Sequence, residues 1–186
     1  MRITLIMSVI FSYAFSAAIA QGNEKYISVQ LPNDFSGHTP EGAYSIYLDS
    51  VETHNGHKVA TIKSLKPSGF ATILSSAIPE KCIGKRIEYT AHVRSENVKG
   101  WAGLWLRIDP ADVYKDPCLG FENMSDRPIK GSSKWTKYRI VLDVPKGAAD
   151  LVYGILLDGD GQVWLDNVNL KIVDKSVPLT TNKKVL

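Results

Sequence analysis

The chain has 186 residues, a formal net charge of +3 and 22% charged residues. This length fits one domain with an ordinary hydrophobic core. Basic and acidic residues are interspersed along the chain without a long basic run, so the charge pattern gives little support to nucleic-acid binding. The sequence contains no internal repeat and no low-complexity segment.

Residues 1–20 predict a secretory signal peptide. Arg2 precedes an apolar run, and Ala18 and Ala20 put small residues at the positions that signal peptidase reads before a cleavage site. The alternative is a transmembrane anchor, but the unbroken apolar stretch from Ile3 to Phe11 is short for a membrane span. We therefore expect a secreted or periplasmic protein that is not stably inserted in a membrane after cleavage.

Short stretches with a two-residue hydrophobic alternation follow, separated by Gly, Pro and Asn turn signals. In chain order they are AYSIYLDS, KVATIKSL, GFATILSSAI, RIEYTAHVRS, WAGLWLRID, KYRIVLDVP, DLVYGILLD and QVWLDNVNLKIV. Asn55-Gly56 predicts a hairpin between the first two, and the NVKG connection predicts another hairpin centred near Val98. No stretch has the 3.6-residue stripe of an amphipathic helix. The pattern therefore predicts an all-β sandwich or barrel.

The two cysteines, Cys82 and Cys118, both lie in the part of the chain that is predicted to be exported. An even number of cysteines in an oxidising compartment favours a disulfide bond. A hairpin centred near Val98 would bring both residues to its open end, which agrees with such a bridge. The alternative is two buried free thiols.

Three long stretches of the chain resemble a bacterial β-sandwich module. They are GKRIEYTAHVRSENVKGWAGLWLRID, LGFENMSDRPIKGSSKWTKYRIVLDVP and YGILLDGDGQVWLDNVNLKI. The module is similar to galactose-binding-like jelly rolls and to xylanase-associated carbohydrate-binding modules, and it occurs alone after a signal peptide or fused to bacterial regulators and hydrolases. The most specific part of the resemblance is the string GLWLRID, FENM-x-x-RPI-x-G, W and VLDVP, in that order.

The resemblance implies a domain organisation as well as a fold. It predicts a single jelly-roll β-sandwich of two antiparallel sheets over residues 42–173. A lead-in with the first strand region, residues 21–41, would precede the sandwich, and a flexible C-terminal tail, residues 174–186, would follow it. Likeness of fold does not by itself assign a function.

The stretch WAGLWLRID gives the strongest indication of function, because its side chains alternate between two very different faces. The aliphatic face consists of Ala102, Leu104, Leu106 and Ile108. The other face carries Trp101, Trp105, Arg107 and Asp109. Indole rings lie against the C–H patches of sugar rings, while arginine and aspartate bond to hydroxyl groups. We therefore expect a carbohydrate site on a concave outer face of the sheet.

That face has an alternative interpretation. The connection over residues 110–130 would cover both indoles, so that Trp101 and Trp105 form a second small core. Arg107 and Asp109 would then be a supporting ion pair on the sheet surface rather than ligand contacts.

A polar loop and a histidine are the other candidate ligand-binding groups. The loop Phe121–Gly131 contains Glu122, Asn123 and Arg127, and loops on a rigid scaffold are frequent sites of recognition. The alternative is a loop network in which Arg127 clamps neighbouring carbonyl groups. His92 lies on the strand predicted to be next to the tryptophan strand, where it would join the site or remain an ordinary surface histidine.

No cofactor is expected. The resemblance implies that a structural calcium ion can lie near the last strand, with Asp166 and Asp49 as the nameable ligands, although Asp166 is also suited to a purely supporting role. His54 and His57 lack a third ligand for zinc. No metal site is therefore predicted among the histidines.

The motifs argue against catalysis. The sequence has no nucleophile elbow and no H-E-x-x-H motif, and Asp109 with Glu122 is the nameable glycosidase pair. We expect a monomeric, non-catalytic module that binds a carbohydrate or a similar polar ligand. The alternatives are a protein-interaction or envelope-structural module with an envelope protein as partner, and a glycoside hydrolase.

Overall fold

The computed structural model describes residues 26–30, 35–112 and 118–180, with the backbone alone for the first of these ranges. These residues form ten β-strands and no α-helix. In chain order the strands are β1 (Tyr26–Gln30), β2 (Ser36–Pro40), β3 (Tyr44–His54), β4 (His57–Ser64), β5 (Phe70–Ala77), β6 (Arg86–Pro110), β7 (Gly120–Glu122), β8 (Ile129–Asp143), β9 (Ala148–Asp158) and β10 (Gln162–Val173). No helix in these ranges is long and apolar enough to span a membrane. The predicted signal peptide lies outside the described residues.

All strand pairings are antiparallel, and the strands follow the order β1-β2-β5-β9-β6-β10-β4-β3, with β7 and β8 also paired to β6. The long strand β6 belongs to both halves of this curled sheet. Its N-terminal part pairs with β8 and β10, and with β4 and β3 these form the first sheet. Its C-terminal part pairs with β7 and β9, and with β5, β2 and β1 these form the second sheet. The predicted all-β jelly-roll sandwich is confirmed.

The predicted hairpin near Val98 is wrong, because β6 runs without a turn from Arg86 to Pro110. The NVKG stretch is instead a bend with two register shifts, one on each side of Val98. Asn97 adopts a left-handed backbone with a φ of 52°. Bulges of this kind bend a strand and increase its twist. The bend carries β6 from the first sheet into the second.

The bend also switches which residues of β6 face the core. Before it, the residues buried in the main core have odd numbers: Ile87, Tyr89, Ala91 and Val93. After it, they have even numbers: Ala102, Leu104, Leu106 and Ile108. The two halves of β6 therefore line the main core from opposite sheets. The buried Tyr89 hydroxyl spans this core and donates a hydrogen bond of 3.1 Å to the carbonyl of Gly154 in the second sheet.

The predicted disulfide is not present. Cys82 and Cys118 are both free, the first buried and the second half-buried. Each thiol donates to a carbonyl of its own segment, Cys82 to Pro79 and Cys118 to Gly120, at 3.1 Å in both cases. Burial raises the pKa of both thiols. The hairpin that was expected to align the two cysteines does not exist, and their sulfur atoms point into separate local contacts.

Residues 174–180, predicted as part of a flexible tail, are held against the first sheet. The guanidinium of Arg86 donates to the carbonyls of Lys175 and Val177 at 2.8 and 2.6 Å. Thr180 pairs with Val141 of β8, donating its backbone N–H to the carbonyl and accepting the Val141 N–H at its hydroxyl. This segment therefore covers part of the free edge of β8.

Candidate functional site

The outer face of the second sheet carries a small apolar cluster, separate from the main core. The buried members are Trp105, Val152 and Leu156, and the partly buried members are Phe70, Leu74 and Trp101. They come from the adjacent strands β5, β9 and β6, whose register puts outward-facing residues side by side. The alternation along WAGLWLRID indicates only the two tryptophans of this cluster. The alternation Phe70-x-Thr72-x-Leu74 in β5 is the local sequence signal that could have predicted the β5 members of the cluster.

Trp105 forms the base of this outer face. It is only 5% exposed, and its indole Nε1–H donates to the Thr72 hydroxyl at 2.9 Å. The residue opposite Trp105 on the intervening strand β9 is Gly154, which has no side chain to obstruct the indole. The predicted outward, open position therefore does not hold for Trp105. It belongs to a second small core, as the packing alternative predicts, but the neighbours in this cluster come from β5, β9 and β6 in place of the expected connection over residues 110–130.

Trp101 differs from Trp105 because it is only partly buried. Its indole Nε1–H donates to the Asp158 carboxylate at 3.2 Å. A Cβ placed on Gly103 would lie 3.2 Å from the Trp101 ring and 2.7 Å from the backbone oxygen of Asn123. The Trp101 ring thus extends over Gly103, and the loop at Asn123 borders the same face through its backbone.

The far end of the face is charged. Arg107 forms two hydrogen bonds of 2.7 Å to the two carboxylate oxygens of Asp109, which is buried. Asp150 lies directly across from Asp109 on β9. Burial raises the pKa of the Asp150 carboxyl, and the nearby Asp109 charge raises it further. One guanidinium and two carboxylates therefore gather beyond the indoles, in the arrangement that the supporting-pair alternative predicts for Arg107 and Asp109.

The structure does not bring Glu122 and Arg127 to this face. Glu122 is paired with Leu106, so it points toward the core, whereas Arg107 and Asp109 point outward. The buried Glu122 carboxylate accepts hydrogen bonds from the guanidinium of Arg127 and from the hydroxyl of Thr180. This is a structural loop network. Asp109 and Glu122 lie on opposite faces of the β6–β7 ladder and do not face each other as a glycosidase pair.

His92 also lies away from the tryptophans, because it precedes the bend in β6 and belongs to the first sheet. Its cross-strand neighbours are Asp166 and Lys137. On this outer face His54 forms a contact of 2.7 Å between its Nδ1 and the Asp166 carboxylate. The two residues are 112 positions apart in the chain, so the sequence contains no local signal of the pair.

The residues expected to bind calcium are engaged in protein contacts. Asp166 bonds to His54, while Asp49 accepts hydrogen bonds from the indole of Trp164 at 2.9 Å and from the backbone N–H groups of Val51 and Glu52. Within the described ranges, no group of three or more His, Cys, Asp or Glu side chains is arranged to hold a metal ion.

Comparison of sequences gives one informative relative. No protein-family model matches the chain. An uncharacterised HTH-type transcriptional regulator of Bacillus subtilis, YbfP, is 37% identical over 140 residues, which cover 74% of this chain and 46% of the regulator. The chain therefore spans less than half of the length of this relative.

Solved structures share the fold at low sequence identity. The enzymatically active domain of tailspike protein 4 of bacteriophage CBA120 has a TM-score of 0.57 at 12% identity, over 75% of this chain and 19% of that one. The CBM22-1 xylan-binding domain of Xyn10C from Paenibacillus barcinonensis has a TM-score of 0.53 at 13% identity, over 83% of this chain and 98% of that one. The predicted resemblance to carbohydrate-binding jelly rolls is thus confirmed at the level of the fold.

Proposed function

We propose that this chain is a non-catalytic module that binds a carbohydrate on the outer face of its second sheet. The observation that carries the proposal is the Trp101 ring, which is only partly buried and is anchored by its hydrogen bond to Asp158 in the same cluster as the buried Trp105. A fixed indole that remains partly exposed offers a flat apolar surface of the kind against which a sugar ring packs. Phe70 and Leu74 extend this surface across the neighbouring strands.

The charged end of the same face suits the hydroxyl groups of a saccharide. Arg107, Asp109 and Asp150 offer both donors and acceptors there, and their mutual contacts fix their positions before a ligand arrives. Trp101 and Arg107 are six positions apart on one strand, which corresponds to about 20 Å. A face of that length favours an oligosaccharide over a single sugar.

The comparisons support the ligand class without assigning it. A solved xylan-binding domain has this fold over almost its whole length. The B. subtilis relative is described as a regulator, which fits a binding role better than a catalytic one. The separation of Asp109 and Glu122 onto opposite faces also favours a non-catalytic module. We further propose that the protein is exported through the signal peptide predicted over residues 1–20 and acts as a monomer.

Titration of the chain with xylohexaose and a panel of neutral oligosaccharides tests the proposal. Calorimetry should give saturable binding for at least one of them, and Trp101→Ala should weaken it about tenfold or more, because the stacking surface is lost. Ile78→Ala, at an exposed apolar position outside this face, serves as the matched control and should bind like the wild type. Equal or absent binding in the wild type and Trp101→Ala across the panel would reject the proposal.

The partly buried Trp101 ring and the guanidinium on this face also favour a second candidate, a protein-interaction or envelope-structural module. Tryptophan and arginine are enriched where protein interfaces bind most tightly. Pull-down with the tagged chain from the source cell envelope separates the two functions. Recovery of one stoichiometric protein, unaffected by free sugars and lost in Trp101→Ala, would favour the second candidate.

A further inference from the structure

The outer face of the first sheet holds a second cluster of polar rings, which the function proposed above does not use. Its members come from four different strands: His54 at the end of β3, His92 on β6, Trp135 on β8 and Asp166 on β10. The first and second sheets lie on opposite sides of the core, so this cluster is separated from Trp101 by the full thickness of the sandwich. It is therefore independent of the face around Trp101.

Two nitrogen atoms in this cluster are buried and unsatisfied. Neither Nδ1 of His92 nor Nε1 of Trp135 has a hydrogen-bond partner among the described residues. Buried polar atoms in folded proteins are almost always hydrogen-bonded, because an orphaned donor loses its water without compensation. Two such atoms beside one histidine indicate a place where a hydroxyl group from outside the chain completes the bonding.

The imidazole of His54 contacts both of the rings that carry these atoms. Its ring stacks on Trp135 with 4.4 Å between the ring centroids, and its centroid lies 5.2 Å from that of His92. The Nδ1 of His54 is held in this position by the Asp166 carboxylate at 2.7 Å. The stacking on Trp135 and the bond to Asp166 are both contacts between side chains, without a hydrogen bond to the backbone.

Access to the cluster would require the His54 side chain to rotate. His54 occupies the last position of β3, beside the Asn55-Gly56 turn, and the β3–β4 ladder shifts register between Asp49 and Thr53. A rotation of the His54 side chain would expose both the indole face of Trp135 and the two unsatisfied nitrogen atoms.

The chemistry of the uncovered cluster matches a neutral sugar ring. Trp135 offers a donor and a flat apolar surface, the imidazole of His92 donates or accepts according to its tautomer, and Asp166 is an acceptor. The charges of Asp166 and Lys137, the two cross-strand neighbours of His92, oppose each other, so the cluster has no net preference for an ion. From β8 to β10 the cluster spans two strand spacings, about 10 Å, which is the width of one or two sugar rings.

We propose that His92, Trp135 and Asp166 form a second carbohydrate site, for a single terminal sugar ring, and that His54 closes over it when it is empty. The choice of sugar as the ligand class rests on the function proposed above, but the site uses different residues on the opposite sheet. The ligand ring replaces the His54 ring on Trp135, and its hydroxyl groups bond to the two nitrogen atoms that are now unsatisfied.

Nuclear magnetic resonance of the indole N–H groups tests this proposal, because the chain contains four tryptophans and each gives a separate indole signal. Trp101→Phe and Trp135→Phe identify two of the signals by their disappearance. The probes are the methyl glycosides of xylose, glucose, galactose and mannose, titrated into the full chain. We expect at least one glycoside to shift the Trp135 signal saturably while the Trp101 signal stays in place.

Variants then test the residues assigned to the site. Trp135→Phe keeps an aromatic ring but removes the donor, and it should weaken binding of the responding glycoside about fivefold, the equivalent of one hydrogen bond. Lys134→Ala, an exposed neighbour on the same strand, is the matched control and should not change the affinity. Binding in the Trp135→Phe variant is followed at the backbone amide signals of β8 and β10.

The outcomes separate this inference from the function proposed above. If none of the glycosides shifts the Trp135 signal, or if they shift only the Trp101 signal, the second site is rejected whether or not the first one binds. Unchanged affinity in Trp135→Phe also rejects it. A saturable shift at Trp135 without any ligand for Trp101 would support the second site while the face of the second sheet fails its own test.

Discussion

The indole Nε1–H of Trp105 donates a hydrogen bond of 2.9 Å to the hydroxyl of Thr72, although strand β9 separates the two strands that carry them. The indole reaches across β9 at Gly154, where no side chain stands in its way. Thr72 in turn donates to the carbonyl of Ile155 at 2.9 Å. Trp105 therefore ties three strands of the second sheet together from the outside, and it supports the surface on which Trp101 stands.

This arrangement predicts that the two tryptophans make different contributions. Trp105→Ala should lower the free energy of unfolding by about 3–5 kcal/mol, as expected when a buried tryptophan leaves a cavity. Trp105→Phe should cost about 1–2 kcal/mol, because the Thr72 hydroxyl keeps its bond to Ile155. Urea unfolding measures both. Trp101→Ala is the comparison. It should lower the free energy of unfolding less than Trp105→Ala does, and its main effect should be on ligand binding. Equal stability losses for the two alanine variants would contradict the different roles of these residues.

The strands and the main core follow from local alternation, but the course of β6 does not. Asn97 and Gly100 are ordinary hairpin residues, which is why the sequence predicts a turn there. The bend is set instead by the β9–β10 connection, where the carbonyl of Asp160 accepts the backbone N–H of Lys99 at 2.9 Å. Gly161 packs so closely on the backbone of Val98 that a Cβ would lie 2.7 Å from it. A contact with a segment sixty residues away carries no local signature.

In the candidate sites too, the sequence predicts the features that lie within one strand and misses those that depend on contacts between distant strands. The strand face with Trp101, Arg107 and Asp109 is visible in the sequence because one strand carries it. Whether an indole on that face is exposed depends on side chains from β5 and β9. The alternation within β6 therefore could not predict the burial of Trp105. The pairing of His54 with Asp166 likewise depends on how β3 ends over β10.

Gly154, the glycine of β9, should not tolerate a side chain. A Cβ at this position would lie 1.9 Å from the backbone oxygen of Ile73 and 2.9 Å from the Cα of Leu74, and these β5 backbone atoms cannot move without breaking the ladder. Gly154→Ala is therefore expected to destabilise the protein by about 3 kcal/mol or more. Thermal unfolding measures the loss.

Gly120→Ala provides the matched control for Gly154→Ala. The added Cβ would meet only the end of the Ile108 side chain, with the nearest atom at 3.1 Å, and a side chain can adjust by such an amount. We expect a change of less than about 1 kcal/mol. A loss at Gly120 as large as that at Gly154 would show that backbone proximity is not the cause.

Asp150 and Asp143 should give opposite dependences of stability on pH. Burial, reinforced by the Asp109 charge, raises the pKa of Asp150, so the folded state binds more protons than the unfolded state just above the ordinary aspartate pKa. Stability then falls as the pH rises through that window. Asp150→Asn should therefore stabilise the protein at neutral pH, and its advantage should disappear below about pH 4, where both states are protonated.

The carboxylate of Asp143 provides the internal comparison. Its hydrogen bonds to the Arg86 guanidinium hold its pKa below the ordinary value, so it contributes stability above the unfolded pKa and loses it as the pH falls through the folded one. Asp143→Asn should thus destabilise the protein at neutral pH and match the wild type in acid. Because Asp143 is exposed, the effect should be small. Urea unfolding at a series of pH values distinguishes the two signs, and the same sign for both variants would refute the assignment.

The buried carboxylate of Glu122 should depend on Arg127 for its counter-charge. The carboxylate is buried beside the core, and Arg127 supplies the cation that compensates it, together with the hydroxyl of Thr180. Arg127→Met leaves this charge without its partner and should cost about 3 kcal/mol of unfolding free energy. Glu122→Gln combined with Arg127→Met should cost less than Arg127→Met alone, because an amide needs no counter-ion and still accepts the Thr180 hydrogen bond. A double-mutant cycle by urea unfolding measures this coupling, and additive losses would exclude Glu122 as the group that Arg127 serves.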